Sequence, residues 1–406
     1  MNHRLEQILS KGLIQVAKVV QVVVPMRPPL VFVGVDSSLQ LAVSIAQKGH
    51  KRVLIVTDPA LEKLGLLEKL KSTLDSHGVE NIVYDGVLPD PTYQQVENGL
   101  SLVRQHGCDG ILAFGGGSSM DAAKVIAALA TNEGKSIDDL VGMFKVRNAC
   151  LPLYAVPTTA GTGSEATIAA VISNTELQQK MQILDNKLIT LSVALDPALM
   201  TGLPKPITAA TGMDALTHAL ESYISLLATK DTDEQAEAAV KLIFDNLRTA
   251  YNDGSNLEAR QAMAMASFYA GQAFTKANLG YVHAIAHNLG AMYHIPHGLA
   301  NATVLPHILD FSHDAVSARL AQLAVRTGIG KASNSDWQNS SRLISEVKQL
   351  IKDVEIPATL DKLKAEDVST LATAAIDEAR FHYAVPKFML QQDCEGVIRK
   401  LLPSYS

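Results

Sequence analysis

The sequence predicts an α/β domain over residues 1–204 followed by an all-helical domain over residues 205–406. Three observations carry that expectation. From about Pro29 to Met200, short β-rich runs alternate with amphipathic stretches, the rhythm of a parallel sheet with crossover helices. After Pro204-Lys205-Pro206 the rhythm changes to long helical periodicity with few internal turn signals. The chain, at 406 residues, also exceeds what a single core usually serves.

Residues 1–28 read as an amphipathic arm for packing or oligomer contact. Their apolar stretch, 12–24, is interrupted by Gln15, Lys18 and Gln21, too short and too polar to span a bilayer, and no small-residue cleavage site follows. Candidate strands follow at 30–35, 52–57, 81–84, 110–114 and 153–156, with amphipathic helices over 58–77 and 91–106 between them. In the second half, Ala-rich stretches at 233–250 and 259–273 read as core helices. A ligand cleft between the two halves is expected.

Composition excludes several classes. Hydrophobic residues make up 47% and charged residues 19%, the balance of a globular enzyme. The net charge of −6, without blocks of like charge, gives no reason to expect a nucleic-acid or membrane partner. Cys108, Cys150 and Cys394 lie far apart with no CxxC pair, which argues against disulfides and thiolate metal sites and for a reducing, cytoplasmic setting.

Two turns suit a dinucleotide. Ile111 to Phe114 is a buried run that enters Gly115-Gly116-Gly117-Ser118-Ser119, with a helix expected to begin near Ser119. Without Cβ atoms, backbone amides approach a pyrophosphate closely, and a helix N-terminus favours the anion. The common GxGxxG fingerprint is absent. Val156-Pro-Thr158-Thr159-Ala-Gly161-Thr162-Gly163-Ser164-Glu165 offers hydroxyls and flexible backbone of the same use. Asp58 ends the second strand, where a carboxylate accepts from a ribose 2′-OH and repels a 2′-phosphate, favouring NAD over NADP; a helix N-cap is its plainer role.

Histidine is unevenly spread, with seven of the twelve between residues 218 and 313. Asp214 and His218 are four apart and share a helical face; His283 and His287 repeat the spacing, and His297 follows in Ile-Pro-His-Gly. One carboxylate with neutral imidazoles suits a borderline divalent ion such as Fe²⁺ or Zn²⁺.

In this order, Val56-Thr-Asp58-Pro, Gly115-Gly-Gly-Ser118-x-x-Asp121-x-x-Lys124, Pro157-Thr-Thr-Ala-Gly-Thr-Gly-Ser-Glu165, Gly212-Met-Asp-Ala-Leu-Thr-His-Ala-Leu-Glu221 and His283…His297-Gly resemble the iron-containing (group III) alcohol dehydrogenases over residues 30–400. The resemblance implies a dehydroquinate synthase-like fold, NAD and one divalent metal, with Asp214, His218, His283 and His297 as ligands. It implies that Gly115, Gly116, Gly117 and Ser118 hold the pyrophosphate, with Asp121 counted among the cofactor contacts. Thr158, Thr159 and Thr162 would line the nicotinamide side, Lys180 would contact the ribose, and His287 would relay a proton. The expected chemistry joins a cation that acidifies a hydroxyl to a nicotinamide that takes hydride, in a homodimer.

The chain departs from that family at Gly34-Val-Asp36, at Val385-Pro386-Lys387 where Asn-Pro-Arg is usual, and at Lys276, where Asn is common. Lys276 stands seven residues before His283 and is read as a substrate-cleft residue. With Arg380 and His382 it points to an acidic sugar such as 3-deoxy-octulosonate, beside small primary alcohols and diols. Two alternatives are a metal- and NAD-using lyase resembling dehydroquinate synthase, whose first ligand is a glutamate instead of Asp214, and a non-catalytic metal- or nucleotide-binding module.

Overall fold

The computed structural model describes residues 27–177 and 179–403. The expected N-terminal arm therefore lies, through residue 26, outside the described residues. The described residues form two compact units: residues 27–203 with 254–268, and residues 204–253 with 269–403.

The first unit is built on a six-stranded sheet. Its strands are β1 (Leu30–Val33), β2 (Arg52–Val56), β3 (Glu80–Tyr84), β4 (Gly110–Gly115), β6 (Leu153–Pro157) and β9 (Ser192–Leu195), in the order β1-β9-β6-β4-β2-β3 and all parallel. β9 was not foreseen, because Ser192-Val-Ala-Leu195 carries a single β-branched residue and runs straight into Asp196-Pro197. A smaller sheet joins β5 (Gly142–Met143), β7 (Ala169–Asn174) and β8 (Gln179–Leu184), with β7 and β8 antiparallel. It too escaped the sequence: β5 is two residues long and β8 mixes polar with apolar residues, while the apolar run Ala169-Ala-Val-Ile172 of β7 was passed over.

The helices of this unit are α1 (Ser37–Gln47), α2 (Pro59–Lys63), α3 (Glu68–Ser76), α4 (Tyr93–His106), α5 (Gly117–Thr131) and α6 (Ile137–Leu140). The single helix expected over 58–77 is two, parted where Gly65 takes a φ of 69°. Leu41, Ile45, Leu70 and Leu74 pack with Ile55, Leu112, Phe114 and Val156 in one core. α5 is buried along nearly its whole length from Ser119 to Leu129, which accounts for its Ala, Val and Ile content.

The second unit is helical: α7 (Lys205–Ile224), α8 (Lys230–Asn252), the part of α9 (Leu257–Ala277) from Tyr269, α10 (Tyr281–Tyr293), α11 (His297–Arg326), α12 (Asp336–Asp353), α13 (Val368–His382) and α14 (Gln391–Arg399). The expected division at 204/205 misplaces one segment, because residues 254–268 cluster with the α/β unit. Polar bonds explain this. Ser267 Oγ accepts from the Gly163 amide at 3.1 Å, and the Arg260 guanidinium donates to the carbonyls of Gly254 and Leu203.

Candidate metal centre and nucleotide turns

α7 carries Asp214 and His218 one turn apart, α10 carries His283, and His297 opens α11. One ligand atom from each of the four lies within 4.8 Å of all the others. Gly298 makes the last of these positions attainable, since a Cβ there would stand 2.5 Å from the Ala210 carbonyl oxygen on α7. His297 Nε2 is 3.5 Å from Asp214 Oδ1, and His283 Nε2 is 4.0 Å from it. The His218 ring lies between Phe274 and His283, with centroids 4.3 and 4.6 Å away.

Burial, reinforced by His218, His297 and His287, holds the His283 pKa well below its ordinary value, so this imidazole is neutral. Glu221 fixes its tautomer. Its two carboxylate oxygens accept from the Gly280 and Val282 amides at 3.0 and 2.7 Å, and His283 Nδ1 completes the group at 2.6 Å. Burial pushes the Glu221 carboxyl up to about 8 despite those bonds, and a cation held at His283 Nε2 would favour the ionised form that accepts from Nδ1. With Nδ1 engaged, the Nε2 lone pair of His283 faces Asp214 and His297. Such a carboxylate behind a histidine is the usual support of a metal ligand.

Two further residues complete the centre. Asn301, fully buried one turn after His297, places Nδ2 2.7 Å from Asp214 Oδ1 and 3.1 Å from the Nε2 atoms of His283 and His297. His287 turns Nδ1 toward Glu378 at 2.7 Å, and Glu378 also accepts from the Tyr383 hydroxyl and the Asn288 amide. Burial raises the Glu378 carboxyl, but the contacts from His287 and Tyr383 outweigh it and leave it below the usual range. Neither Asn301 nor Glu378 was singled out from sequence. Asn301 had a signal, its four-residue spacing from His297, whereas Glu378 arrives from 91 residues beyond His287. Glu221 stood in the motif, three residues after His218, without a role. The donor set fits a divalent cation, since a carboxylate and imidazole lone pairs converge in a buried space.

Lys276 lies elsewhere in its bonding. Its ammonium is 2.5 Å from Asp231, and Arg380 is paired with Asp377. His382 is exposed, with Nδ1 on the Glu378 carbonyl.

In the α/β unit the chain steps from β2 outward to β3 and returns to β4 on the other side of β2, a switch point at which such sheets bind ligands. Asp58 and Gly115 stand level there, each two residues beyond the paired Val56 and Ala113. Asp58 caps α2, accepting from the Ala60 and Leu61 amides. α5 starts at Gly117, two residues earlier than expected, so its N-terminus lies in the glycine turn itself. The two turns form one wall. Thr158 donates its amide to the Gly115 carbonyl at 3.0 Å, and a Cβ on Gly117 would stand 2.8 Å from Thr162 Cγ2, a contact only glycine permits. Thr159 lies opposite Gly116, and Ser118 is half-buried on the first turn of α5.

Charges behind this wall are internally matched. Buried Lys124 donates to the Ser164 and Ala169 carbonyls and to the hydroxyls of Ser164 and Thr167, all within 2.9 Å. Desolvation lowers its pKa to about 8, partly offset by Asp121 and Glu165. Asp121 accepts from Ser164 Oγ and the Val171 amide, so its oxygens hold the threonine turn. Lys180, on β8, pairs with Asp90 at 2.5 Å.

Residues 28–197 match the profile described as iron-containing alcohol dehydrogenase, and residues 208–402 match the C-terminal profile of the Fe-containing alcohol dehydrogenase family. The chain belongs to the iron-containing alcohol dehydrogenase family. It is 39% identical to alcohol dehydrogenase 4 of Saccharomyces cerevisiae over 377 residues, 92% of this chain and 97% of that one. It is 40% identical to 1,3-propanediol dehydrogenase of Klebsiella pneumoniae over 356 residues, 87% and 92% of the two chains. Among solved structures, a 1,3-propanediol oxidoreductase superposes with a TM-score of 0.89 at 38% identity, covering 93% of this chain and 99% of that one. As a member of the iron-containing alcohol dehydrogenases the chain is an oxidoreductase that uses NAD and one metal ion, and its architecture is the dehydroquinate synthase-like fold. The octulosonate-oxidising type is not indicated by these relatives.

Proposed function

We propose that the enzyme oxidises the primary hydroxyl of a small neutral alcohol or diol by hydride transfer to NAD, with Asp214, His218, His283 and His297 holding the metal. The convergence of those four ligand atoms within 4.8 Å carries the reading. When bound, a divalent ion supplies Lewis-acid activation of the hydroxyl. Glu221 keeps the His283 lone pair directed into the centre. Glu378 holds the Nδ1 proton of His287, which leaves Nε2 as the ring atom available to take up and pass on a proton. The glycine and threonine turns seat the dinucleotide through backbone amides and hydroxyls.

A neutral substrate is favoured over a sugar acid because Lys276 and Arg380, the cations that suggested an acid, are each paired with an aspartate. The relatives named for 1,3-propanediol point the same way. No helix among the described residues is long and apolar enough to cross a membrane. Together with three unpaired cysteines, this supports a cytoplasmic setting. The test is NADH formation from primary alcohols, diols and sugar acids by protein loaded separately with Fe²⁺ and Zn²⁺. Higher kcat/KM on neutral diols is expected; a preference for an acidic sugar that Lys276→Ala abolishes would overturn the substrate reading.

A further inference from the structure

The amide of Asn301 sits where the ligand lone pairs meet. Its Nδ2 approaches Asp214 Oδ1, His283 Nε2 and His297 Nε2 at 2.7, 3.1 and 3.1 Å; with the two Nε2 lone pairs turned inward, as metal ligation requires, these are three acceptors for a group with two hydrogens. Its Oδ1 is buried with no hydrogen-bond partner. The opposite amide orientation would set that oxygen against the same three acceptors, so the donor orientation is the one the surroundings demand. A lone pair serves one positive group at a time. The N–H dipoles of Asn301 and a cation therefore compete for the same three atoms.

We propose that Asn301 is a placeholder for the metal ion: its side-chain amide holds the ligand set together while no ion is bound, and must release it for an ion to enter. The proposal rests on the ligand assignment above and adds a consequence to it. Asn301 stabilises the metal-free centre at the expense of metal affinity. A residue that merely braced the ligands would raise affinity instead, and the two roles predict opposite signs.

Full-length wild type, Asn301→Ala and Asn301→Leu are compared for Zn²⁺ and Fe²⁺ affinity by chelator competition, and for thermal midpoint with and without ion. The leucine keeps roughly the shape of asparagine while removing its donors without adding a charge or a new ligand, which covers the case where the alanine variant folds poorly. The expected result is a lower metal-free midpoint, a larger rise on adding ion, and a Kd reduced roughly tenfold, the weight of one to two net hydrogen bonds. A Kd that rises in both variants, or a metal-free midpoint that does not fall, overturns the proposal. His283→Ala, measured alongside, separates the two ideas: if it keeps its metal, the ligand assignment has failed; if it loses metal while Asn301→Ala binds more weakly, only the placeholder has failed.

Discussion

The two units bury charge for opposite ends. In the helical unit Asp214, His283 and His297 turn acceptors toward one another, and a single amide donor stands among them. In the α/β unit buried Lys124 meets four oxygens, and both oxygens of Asp121 accept hydrogen bonds. The first arrangement has electrostatic demand left over, which a cation satisfies. The second is largely satisfied internally and shapes a turn whose backbone is the part proposed to bind the dinucleotide. Side-chain chemistry therefore marks the first site, and backbone geometry the second.

The sharpest way to break this contrast is to remove a ligand. His283→Ala or Asp214→Ala should cost about 10³-fold or more in kcat, the several kcal/mol that cation activation contributes. Metal content should fall with it, while NAD binding by the α/β unit persists. Full metal occupancy in both variants would sink the ligand assignment.

Among the described residues of the α/β unit Glu165 stands outside this matching, and it gives the next effect. Glu165 is buried, its Oε1 has no partner, and desolvation raises its pKa from 4.5 to about 7. The unfolded chain therefore releases this proton first as pH rises. Stability is fully present below about 4.5 and declines toward pH 7, by up to about 3 kcal/mol. Glu165→Gln should remove that slope, read as the difference in urea midpoints between variant and wild type from pH 4.5 to 7.5. An unchanged slope would mean that Glu165 titrates normally.

The same contrast explains what was legible in the sequence. Asp214, His218, His283 and His297 stood out because ligand chemistry requires particular residue types at helical spacing, and the structure gathers all four. Glu221 and Asn301 share helices with ligands and were within reach of the same argument. Glu378 was not, since only the packing of α13 beside α10 brings it to His287. In the α/β unit five strongly apolar runs announced themselves, whereas β9 holds a single β-branched residue and β8 is mixed; the apolar run at the start of β7 was a signal passed over. Residues 254–268 were assigned to the helical half because periodicity reports a helix but not its partner, which here is set by Ser267 and Arg260.

A smaller change probes the support behind the metal. Glu221→Gln keeps the shape of the side chain but weakens its hold on His283 Nδ1. Loss of such a contact typically costs 10- to 100-fold in metal affinity. Chelator competition should show that loss with the helical unit still folded; unchanged affinity would reduce Glu221 to a helix-to-helix tie through Gly280 and Val282.

The least effect is expected at Asp58, where two roles overlap on one carboxylate. Its Oδ1 already accepts from Ala60 and Leu61, so the residue has a complete structural reason to exist as a helix cap. Its position level with Gly115 adds a second, because a negative charge there opposes a 2′-phosphate. Asp58→Ser separates them, since serine caps nearly as well and carries no charge. Stability should change by less than about 0.5 kcal/mol, while the ratio of kcat/KM for NADP⁺ to that for NAD⁺ should rise several-fold. Asp58→Ala removes cap and charge together and should add a stability loss of about 1 kcal/mol to the same shift in ratio. If the ratio stays fixed in both variants, Asp58 serves the helix alone, and cofactor choice lies with other residues of the glycine and threonine wall.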